Sequence, residues 1–391
     1  MREFDSKSDF RIAVISPAPA TPGTPPPSGV AAYAIELLEH LPKSACVTVL
    51  SQDTSKEWVH HSRIMVLPCW TPGWGAAVKL VESLKKIEVD LIHVQHEFSL
   101  YGNPIATMRV VRAIRRYSNK KIPVVTTLHS VVPEDKITAT FLRKNGLPPF
   151  PLLGRFAFRR SVKEIRKLSA KVVVHHEFFR QVLVDDHRFS PESIRIIPIG
   201  SRPNLNRKPA IYGGSINILV FGFLTSYKSP ELVVSVAREM KLRDTTFRFS
   251  IAENPRARSK SYRDRYSELE KSVRELGTLA SWQGFVPDEE VSSVFEMSDI
   301  LVLPYTECIS VSAVAELARQ HGLIVCHSAP LNQLLGDSKY AFELTSESLT
   351  KALNNAINSR RQRWTQTSSV ASWTQSAQLT FQLWQETLGC E

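Results

Sequence analysis

This 391-residue sequence contains neither a CxxC pair of cysteines nor a long apolar run. No two cysteines form a CxxC pair, and their number is odd: Cys46, Cys69, Cys308, Cys326 and Cys390. This pattern argues against a disulfide framework and a zinc site, and it favours a reducing compartment. No apolar run of about 18 residues predicts a membrane-spanning helix. Residues 1–10 are polar and charged, unlike a signal peptide, so we expect a cytoplasmic protein.

The composition is that of an ordinary globular protein, with 43% hydrophobic residues. A single core rarely grows beyond about 250–300 residues, so two domains are expected. The net charge of +11 suits nucleic acid, an anionic membrane surface or an anionic substrate equally well. The basic clusters lie in no recognisable nucleic-acid-binding module, and we therefore expect no nucleic-acid partner.

Residues 1–200 alternate short β-branched segments with helical patterns, which predicts a parallel sheet with right-handed crossovers. A helix is predicted over Val30–Leu41, whose apolar residues share one face. The predicted strands are Ile12–Ile15, Cys46–Leu50, Ile64–Leu67, Leu91–Gln95, Val124–Leu128, Val172–His175 and Ile194–Pro198. This order predicts a first Rossmann-like, doubly wound α/β domain.

A second alternation follows a linker at residues 201–215, which is rich in Gly, Pro, Asn and basic residues. It covers residues 216–365, with strands predicted at Ile218–Gly222, Phe247–Ala252, Ile300–Leu303, Leu323–Cys326 and Ala341–Leu344. Helices are predicted at Glu231–Met240, Ser261–Leu276, Asp288–Met297 (with Asp288 as N-cap), Ser312–His321 and Ser346–Asn358. Ligands of such sheets bind outside the carboxyl ends of the strands, so the cleft between two facing domains is the expected site.

Candidate binding groups of the first domain lie where predicted strands end. Gly29 begins the first helix, where a glycine admits a ligand to the backbone and the helix end favours anions. A plain turn capped by Ser28 is the alternative. His96 and His129 follow the fourth and fifth strands and are suited to bind a sugar hydroxyl or a developing charge. Histidines bonded within their own loops are the alternative, and His175 is interpreted as structural, with no metal site.

In the second domain, a lysine stands between a strand and a helix that starts near Pro230. Gly222 ends the strand, and Lys228 brings a cation close to the amides of a helix start, as a phosphate requires. A solvated lysine is the alternative.

A second loop of this domain, Pro304–Ala313, leads into a helix that Gly322 terminates. Glu307 is a candidate acceptor for sugar or ribose hydroxyls, and Glu316 is either a ribose ligand or a favourable charge near the helix start. Small residues leave room for a diphosphate at the positive helix end: Ser310, Ser312 and Ala313.

The order of these segments resembles family 4 glycosyltransferases over nearly the whole chain. The resemblance rests on the first-loop glycine, VQHEF (Val94–Phe98), FGF followed by Lys228, GFVPDEEV (Gly284–Val291) and SDILVLPY (Ser298–Tyr305). It implies a GT-B fold of two Rossmann-like domains that face a central cleft. It also implies that the C-terminal helix, in residues 366–391, crosses back to the N-terminal domain and buries its tryptophans there.

The resemblance further implies a retaining, metal-independent hexosyltransferase that needs no cofactor. Its donor would be a UDP- or GDP-linked sugar held mainly by the C-terminal domain. By this resemblance Gly29 approaches the donor phosphates, His129 lies near the donor sugar and Lys228 binds phosphate. His129, Glu307 and Lys228 are therefore the candidate catalytic residues. The candidate donor-binding residues are Gly29, His96, Gly222, Ser310, Ser312, Ala313 and Glu316.

The sequence departs from the family pattern at the acidic pair and beside the lysine. The family places two glutamates eight positions apart, but here Glu316 stands nine after Glu307. Phe223 occupies the place of an arginine, and Glu253 that of a glycine. A catalytically degenerate GT-B protein that binds a nucleotide sugar or a partner, and a nucleotide-sugar epimerase, therefore stay open as alternatives.

Residues 141–171 interleave large apolar and basic side chains, and a second basic cluster spans residues 109–121. Apolar anchors beside cations suit an anionic bilayer interface. A solvated basic helix with its apolar side on the core is the alternative, favoured for Ala157–Leu168 alone. The proline-broken segment Leu147–Leu153 is harder to bury. We therefore expect a glycan or lipid-linked acceptor of a polysaccharide pathway, and a peripheral position on the inner face of the membrane.

Overall fold

The structure, a computed structural model, describes residues 10–389 apart from residues 22–23, 25, 54–55, 61–62, 99, 120, 146, 202–214, 241–244, 254–258, 337 and 362–370.

The first sheet is parallel except at one edge. The strands are β1 (Arg11–Ile15), β2 (Cys46–Gln52), β3 (Trp58–His60), β4 (Ile64–Trp70), β5 (Leu91–His96), β6 (Val124–Leu128), β7 (Lys171–Val174) and β8 (Ile194–Ile196). Their order is β3-β4-β2-β1-β5-β6-β7-β8, with β3 antiparallel to β4. All residues of β5 and β6 are buried, as expected for central strands covered on both faces.

The helices that follow these strands are α1 (Gly29–Glu39), α2 (Ala76–Leu84), α3 (Pro104–Ser118), α4 (Ala139–Lys144), α5 (Pro151–Leu168) and α6 (Glu177–Asp185). Polar caps set several of their starts: the side chain of Asn103 accepts from the Ala106 amide at 2.9 Å, and Pro104 suits the first turn of α3. Helices α2, α3 and α5 each connect a strand to one that lies nearer the β8 edge of the sheet, and right-handed crossovers therefore place them on the same face. Helix α1 connects β1 to β2, in the opposite direction, and lies on the other face.

The second sheet is entirely parallel, with order β11-β10-β9-β12-β13-β14. These strands are β9 (Ile216–Phe223), β10 (Thr245–Ala252), β11 (Ala280–Trp282), β12 (Ile300–Leu303), β13 (Ile324–Ser328) and β14 (Ala341–Phe342). The accompanying helices are α7 (Pro230–Glu239), α8 (Lys260–Arg274), α9 (Asp288–Glu296), α10 (Ala313–Gln320), α11 (Asn332–Leu335) and α12 (Ser346–Arg361). Short 3-10 turns occur at Glu134–Lys136, Pro191–Ser193, Gly277–Leu279 and Ala329–Leu331.

The chain divides into two compact units. The first comprises residues 1–200, 309–311 and 371–391, and the second residues 201–308 and 312–370. The last helix, α13 (Trp373–Leu388), buries its large side chains in the core of the first unit. Its approach requires a glycine, since a Cβ on Gly200 would lie 2.5 Å from the Trp373 Cα. Helix α13 therefore returns to the first unit, as the resemblance implies.

The α/β class and the parallel sheets are confirmed, but some details of the sequence prediction are wrong. The three-residue edge strands β3 and β11 were not predicted, because so short a segment shows no periodicity. Asp288 is the first helical residue of α9 rather than its N-cap, a position that Pro287 takes. Nearly all of the predicted linker lies outside the described residues, as do residues 366–370 of the predicted C-terminal segment. No described helix combines the length and apolar character needed to cross a membrane.

Candidate functional site

The carboxyl end of β9 makes room for a lysine. Gly222 has φ of 109°, a conformation that side chains other than glycine rarely adopt. A Cβ added to Gly222 would lie 2.9 Å from the Lys228 Nζ and 3.8 Å from the Val314 Cγ2. The ammonium of Lys228 and the first turn of α10 therefore meet at this glycine.

Lys228 is held in place from both sides of the β9–α7 loop. Its backbone forms an antiparallel bridge with Tyr305, just beyond the end of β12. The Ser229 amide donates to the Pro304 carbonyl at 2.9 Å, and the Thr306 amide donates to the Tyr227 carbonyl at 2.7 Å. The Lys228 Nζ stands over the Tyr305 ring, 5.2 Å from its centroid, so the ring face supports the cation.

The ammonium of Lys228 is shielded from water. Burial lowers the pKa of Lys228, because the ammonium loses water. Glu231, the carboxylate nearest to it in sequence, is paired with Arg265. An anion bound beside the Nζ would favour the protonated lysine, so the position is suited to a phosphate group.

A guanidinium from α8 fastens the same loop. Arg265 donates from Nη2 to the Lys228 carbonyl at 2.7 Å and from Nη1 to the Thr225 carbonyl at 3.0 Å. It also holds Glu231 of α7 through two bonds of 2.6 and 3.0 Å. Arg265 thus ties both ends of the loop to the start of α7 and is a positioning residue for Lys228.

The start of α10 supplies backbone amides beside this lysine. Ser312 is the N-cap, and its hydroxyl accepts from the Ala315 amide at 3.2 Å. It is also hydrogen-bonded to Tyr305, and burial raises the pKa of Tyr305 to about 12, which keeps the phenol neutral. The amides of Ala313 and Val314 lack carbonyl partners within the helix, as all first-turn amides do. With the positive end of the helix dipole, they complement the lysine as an anion site.

The predicted acidic residues occupy different surroundings. Glu316 is in the first turn of α10, forms an ion pair of 3.3 Å with Arg319, and has its pKa raised by burial. Glu307 is half-buried in the loop before α10, in the second unit. Ser310 lies in residues 309–311, which group with the first unit. The ion pair with Arg319 fixes the orientation of the Glu316 carboxylate.

In the first unit, a buried polar chain ends at His129. The indole N–H of Trp384 can only donate, and it reaches the His93 Nδ1 at 3.2 Å. His93 therefore carries its proton on Nε2, which lies 2.8 Å from the Thr127 hydroxyl. The Gln95 amide joins this pair to His129, because its Nε2 lies 3.5 Å from the His93 Nε2 and its Oε1 lies 2.8 Å from the His129 Nε2.

These histidines are neutral in the folded protein. Burial lowers the pKa of His129 well below its ordinary value, and the neighbouring histidines lower it further. The ring of His129 lies 4.9 Å from that of Tyr33 and 5.3 Å from that of His175. A neutral His129 is suited to bind a hydroxyl group rather than to carry charge.

The other predicted residues of the first unit lie around His129. Its amide donates to the His96 carbonyl at 3.0 Å, while the His96 ring is buried against Phe98. His175 donates from Nδ1 to the Ile197 carbonyl at 2.8 Å, consistent with its structural interpretation. Gly29 is exposed at the start of α1, where Ser28 accepts from the Ala31 amide at 3.2 Å. Space beside Gly29 is open, so the fold itself does not require a glycine there.

The second unit brings together Gly222, Lys228 and the Ser312–Ala313 helix start, and the first unit brings together His96 and His129. Sequence reasoning missed Tyr305 and Arg265. Tyr305 closes the segment SDILVLPY, so an aromatic residue directly after a buried strand was an available signal. Arg265 stands 37 residues from Lys228, and nothing in the local pattern indicates the contact. Among the described residues, no three His, Cys, Asp or Glu side chains are grouped closely enough to hold a metal ion.

Comparison with known proteins bears on the fold and the family. The sequence pattern of Glycosyltransferase Family 4 matches residues 27–203. A comparison with curated protein sequences gives no match. Among solved structures, a sucrose-phosphate synthase from Thermosynechococcus elongatus is similar, with a TM-score of 0.72 and 14% identity over 97% of this chain and 99% of that one.

Two further solved structures share the fold. HepE of Anabaena, in complex with UDP and glucose, gives a TM-score of 0.64 at 15% identity over 97% of this chain and 99% of that chain. The catalytic domain of starch synthase IV from Arabidopsis thaliana, bound to ADP and acarbose, gives 0.64 at 11% identity over the same shares. The fold is therefore GT-B. By its sequence match over residues 27–203, the resemblance to family 4 is confirmed.

Proposed function

We propose that this protein transfers a hexosyl unit from a UDP- or GDP-linked sugar to an acceptor hydroxyl, with retention of configuration. The observation that carries the proposal is the meeting of Lys228 with the amide-bearing start of α10 at Gly222. A cation, two helix-start amides and a helix dipole together match a pyrophosphate. In support, HepE and starch synthase IV, which have this fold, are bound to UDP and ADP.

In this proposal the residues act by electrostatic preorganisation. Departure of the nucleoside diphosphate builds negative charge on its phosphates, and Lys228 with the Ala313 and Val314 amides would stabilise that charge. No metal ion or cofactor takes part. Bond formation by the acceptor hydroxyl on the face that the leaving group vacates would retain the configuration, and the leaving phosphate would accept the hydroxyl proton.

Other predicted residues keep their roles as proposals. The neutral His129 would form a hydrogen bond with a hydroxyl of the donor sugar, and Gly29 would admit the donor phosphates to the start of α1. Glu307 and Glu316 would accept hydroxyl groups of the sugar and the ribose, and Ser310 would line the same loop. The acceptor is proposed to be a glycan or a lipid-linked sugar, at the inner face of the membrane.

Replacement of Lys228 tests the proposal. Lys228→Ala should reduce sugar transfer on the order of 100-fold, the scale for loss of a key charge stabiliser. Because burial disfavours the charged lysine, the variant should unfold at the same temperature as the wild type or a higher one. Lys351→Ala, an exposed lysine of α12, is the matched control and should transfer normally. Normal transfer by Lys228→Ala would remove this residue from the donor site.

The donor and the reaction type are identified by two further measurements. A thermal-shift screen of UDP-, GDP- and ADP-sugars should show stabilisation by one donor, since a bound ligand raises the unfolding temperature by mass action. The stabilising donor is then incubated without acceptor. Slow release of sugar supports a transferase, formation of an isomeric donor would indicate an epimerase, and an unchanged donor would indicate a binding protein.

A further inference from the structure

The exposed large apolar side chains of the first unit are concentrated at the starts of three helices. Leu152 is 82% exposed, Phe156 64% and Phe150 61%, and Trp74, just before α2, is 60% exposed. We call this set the helix-end surface: Trp74, Val78, Ile105, Phe150, Leu152, Leu153 and Phe156. In the described part of the first unit, Val59 is the one other large apolar residue that is comparably exposed. So concentrated an apolar area normally marks an interaction site.

Topology explains why these residues share one end of the unit. Helices α2, α3 and α5 form one layer, and each starts after the carboxyl end of a parallel strand. Helix α5 has 18 residues, a length of roughly 27 Å, whereas its following strand β7 has four residues, roughly 13 Å. The first turns of α5 therefore extend beyond the sheet, and all of its buried residues lie from Phe158 onwards.

The exposed faces of the same helices change from apolar to basic along their length. On α5, Leu152 and Phe156 are followed by the exposed residues Arg160, Lys163 and Lys167. The one acidic residue of α5, Glu164, is buried between Arg112 and Arg115 of α3 and does not offset this charge at the surface.

Helix α3 repeats the arrangement. Ile105 is exposed near its start, and Arg109 and Arg116 are exposed further along. Arg109 lies over the Trp74 ring, 5.0 Å from its centroid, and so joins α3 to the residue that precedes α2. Helix α3 contains no acidic residue. The exposed faces of α3 and α5 are thus apolar in the first turns and basic in the turns that follow.

We propose that the helix-end surface docks on an anionic lipid bilayer. The apolar tips enter the headgroup region, and the arginine and lysine side chains behind them contact lipid phosphates. This pairing of an apolar rim with a cationic flank selects a negatively charged membrane over a neutral one. The inference rests on the proposed function, which places the acceptor at a membrane, and it names the surface that docks there and the lipid charge that this surface selects. Membrane binding itself requires neither donor nor catalysis.

Vesicle flotation of the full chain tests the inference. The wild type should float with vesicles of phosphatidylcholine and phosphatidylglycerol at about 20 mM salt, and far less at about 500 mM, where charges are screened. Vesicles of phosphatidylcholine alone should carry little protein. The double variant Leu152→Gln with Phe156→Gln should reduce the floated fraction on the order of tenfold. The pair Arg160→Gln with Lys163→Gln should remove the preference for anionic vesicles.

The matched control changes exposed apolar residues of the second unit. Phe285→Gln with Met297→Gln replaces side chains that are 53% and 49% exposed and should float like the wild type. Unfolding temperatures of all variants should agree, because none of these side chains is buried. Absence of flotation at low salt, or equal flotation of the Leu152 and Phe156 variant, would overturn the inference. So would sedimentation of the wild type as a dimer that this variant dissociates, since the surface would then bind a second copy.

Because flotation needs no donor, it separates this inference from the proposed function. A chain that floats but transfers no sugar would retain the docking surface and lose the transferase assignment. A chain that transfers sugar to a soluble acceptor but never floats would retain the transferase assignment and lose the docking surface.

Discussion

At the scale of residues, the site depends on one glycine and one lysine that fit together. The positive φ of Gly222 turns the chain at the end of β9, and its missing side chain is the space that the Lys228 ammonium occupies. Neither residue explains the position alone. A side chain at position 222 would collide with the Lys228 ammonium, and the positive φ of Gly222 directs the β9–α7 loop towards α10.

Replacement of Gly222 by alanine should affect both stability and transfer. The strained φ should cost about 1–3 kcal/mol of unfolding free energy. Displacement of the Lys228 Nζ, which lies 2.9 Å from the new Cβ, should lower transfer by at least about tenfold. Urea unfolding and donor-dependent kinetics measure the two effects.

Gly277→Ala is the matched control for this substitution. Gly277 also has positive φ, at 61°, but no atom lies within 4 Å of its added Cβ. The control should lose about 1–2 kcal/mol of stability and keep normal kinetics. Equal kinetic losses in the two variants would mean that strain, and not the lysine, causes them.

At the scale of elements, α8 contributes to the site without lining it. Arg265 holds two carbonyls of the β9–α7 loop and the Glu231 carboxylate. The loop thus has a fixed shape before any ligand binds, and this reduces the entropy cost of donor binding.

Arg265→Ala should therefore impair donor use more than folding. We expect a higher donor KM and a lower kcat, because Lys228 loses its fixed position, with stability reduced by about 1–3 kcal/mol. Arg265→Lys keeps the charge but cannot form the same forked contacts, and should recover only part of the activity. Steady-state kinetics over a range of donor concentrations measure the split.

A neighbouring arginine on the same helix serves as control. Arg274 forms an exposed i,i+4 pair with Glu270, so Arg274→Ala should leave kinetics unchanged and stability almost so. If donor KM and kcat of Arg265→Ala match those of Arg274→Ala, Arg265 has no positioning role.

At the scale of the whole molecule, several neutral histidines are buried in the interior of the first unit. Burial lowers the pKa of His93 to about 3 and those of His96 and His175 to about 4. In the unfolded chain these groups titrate near 6.5, so unfolding takes up protons below that pH. The stability that they confer is complete above about pH 6.5 and is lost as the pH falls towards 4.

Urea unfolding at pH 7.5, 6 and 5 should show this loss, with a lower free energy of unfolding at each step. His175→Gln keeps a donor for the Ile197 carbonyl and should flatten the pH dependence. Equal stability at pH 7.5 and 5 in the wild type would contradict the assignment of neutral buried histidines.

The local pattern of apolar residues was enough to predict the sheets, because its spacing along the chain shows which side chains of a strand or helix are buried. The segments around β1, β5, β6, β9 and β12 are apolar runs between helical patterns, and each is an interior strand of its sheet. Their order implies where carboxyl ends meet, so His96, His129 and Lys228 could be chosen as candidates. The resemblance supplied the return of α13, which its tryptophans alone only hinted at.

What the sequence alone determined is the α/β class, the parallel sheets and the helix start at Ser312, since each arises from neighbours in the chain. Only the tertiary structure decided that Lys228 meets Gly222 and α10, that Arg265 holds its loop, and that one face of the first turns of α5 stays exposed. These facts depend on contacts between residues dozens of positions apart, and on the length of a helix relative to the sheet beneath it. A local pattern contains neither quantity, because packing fixes them only when distant elements come together.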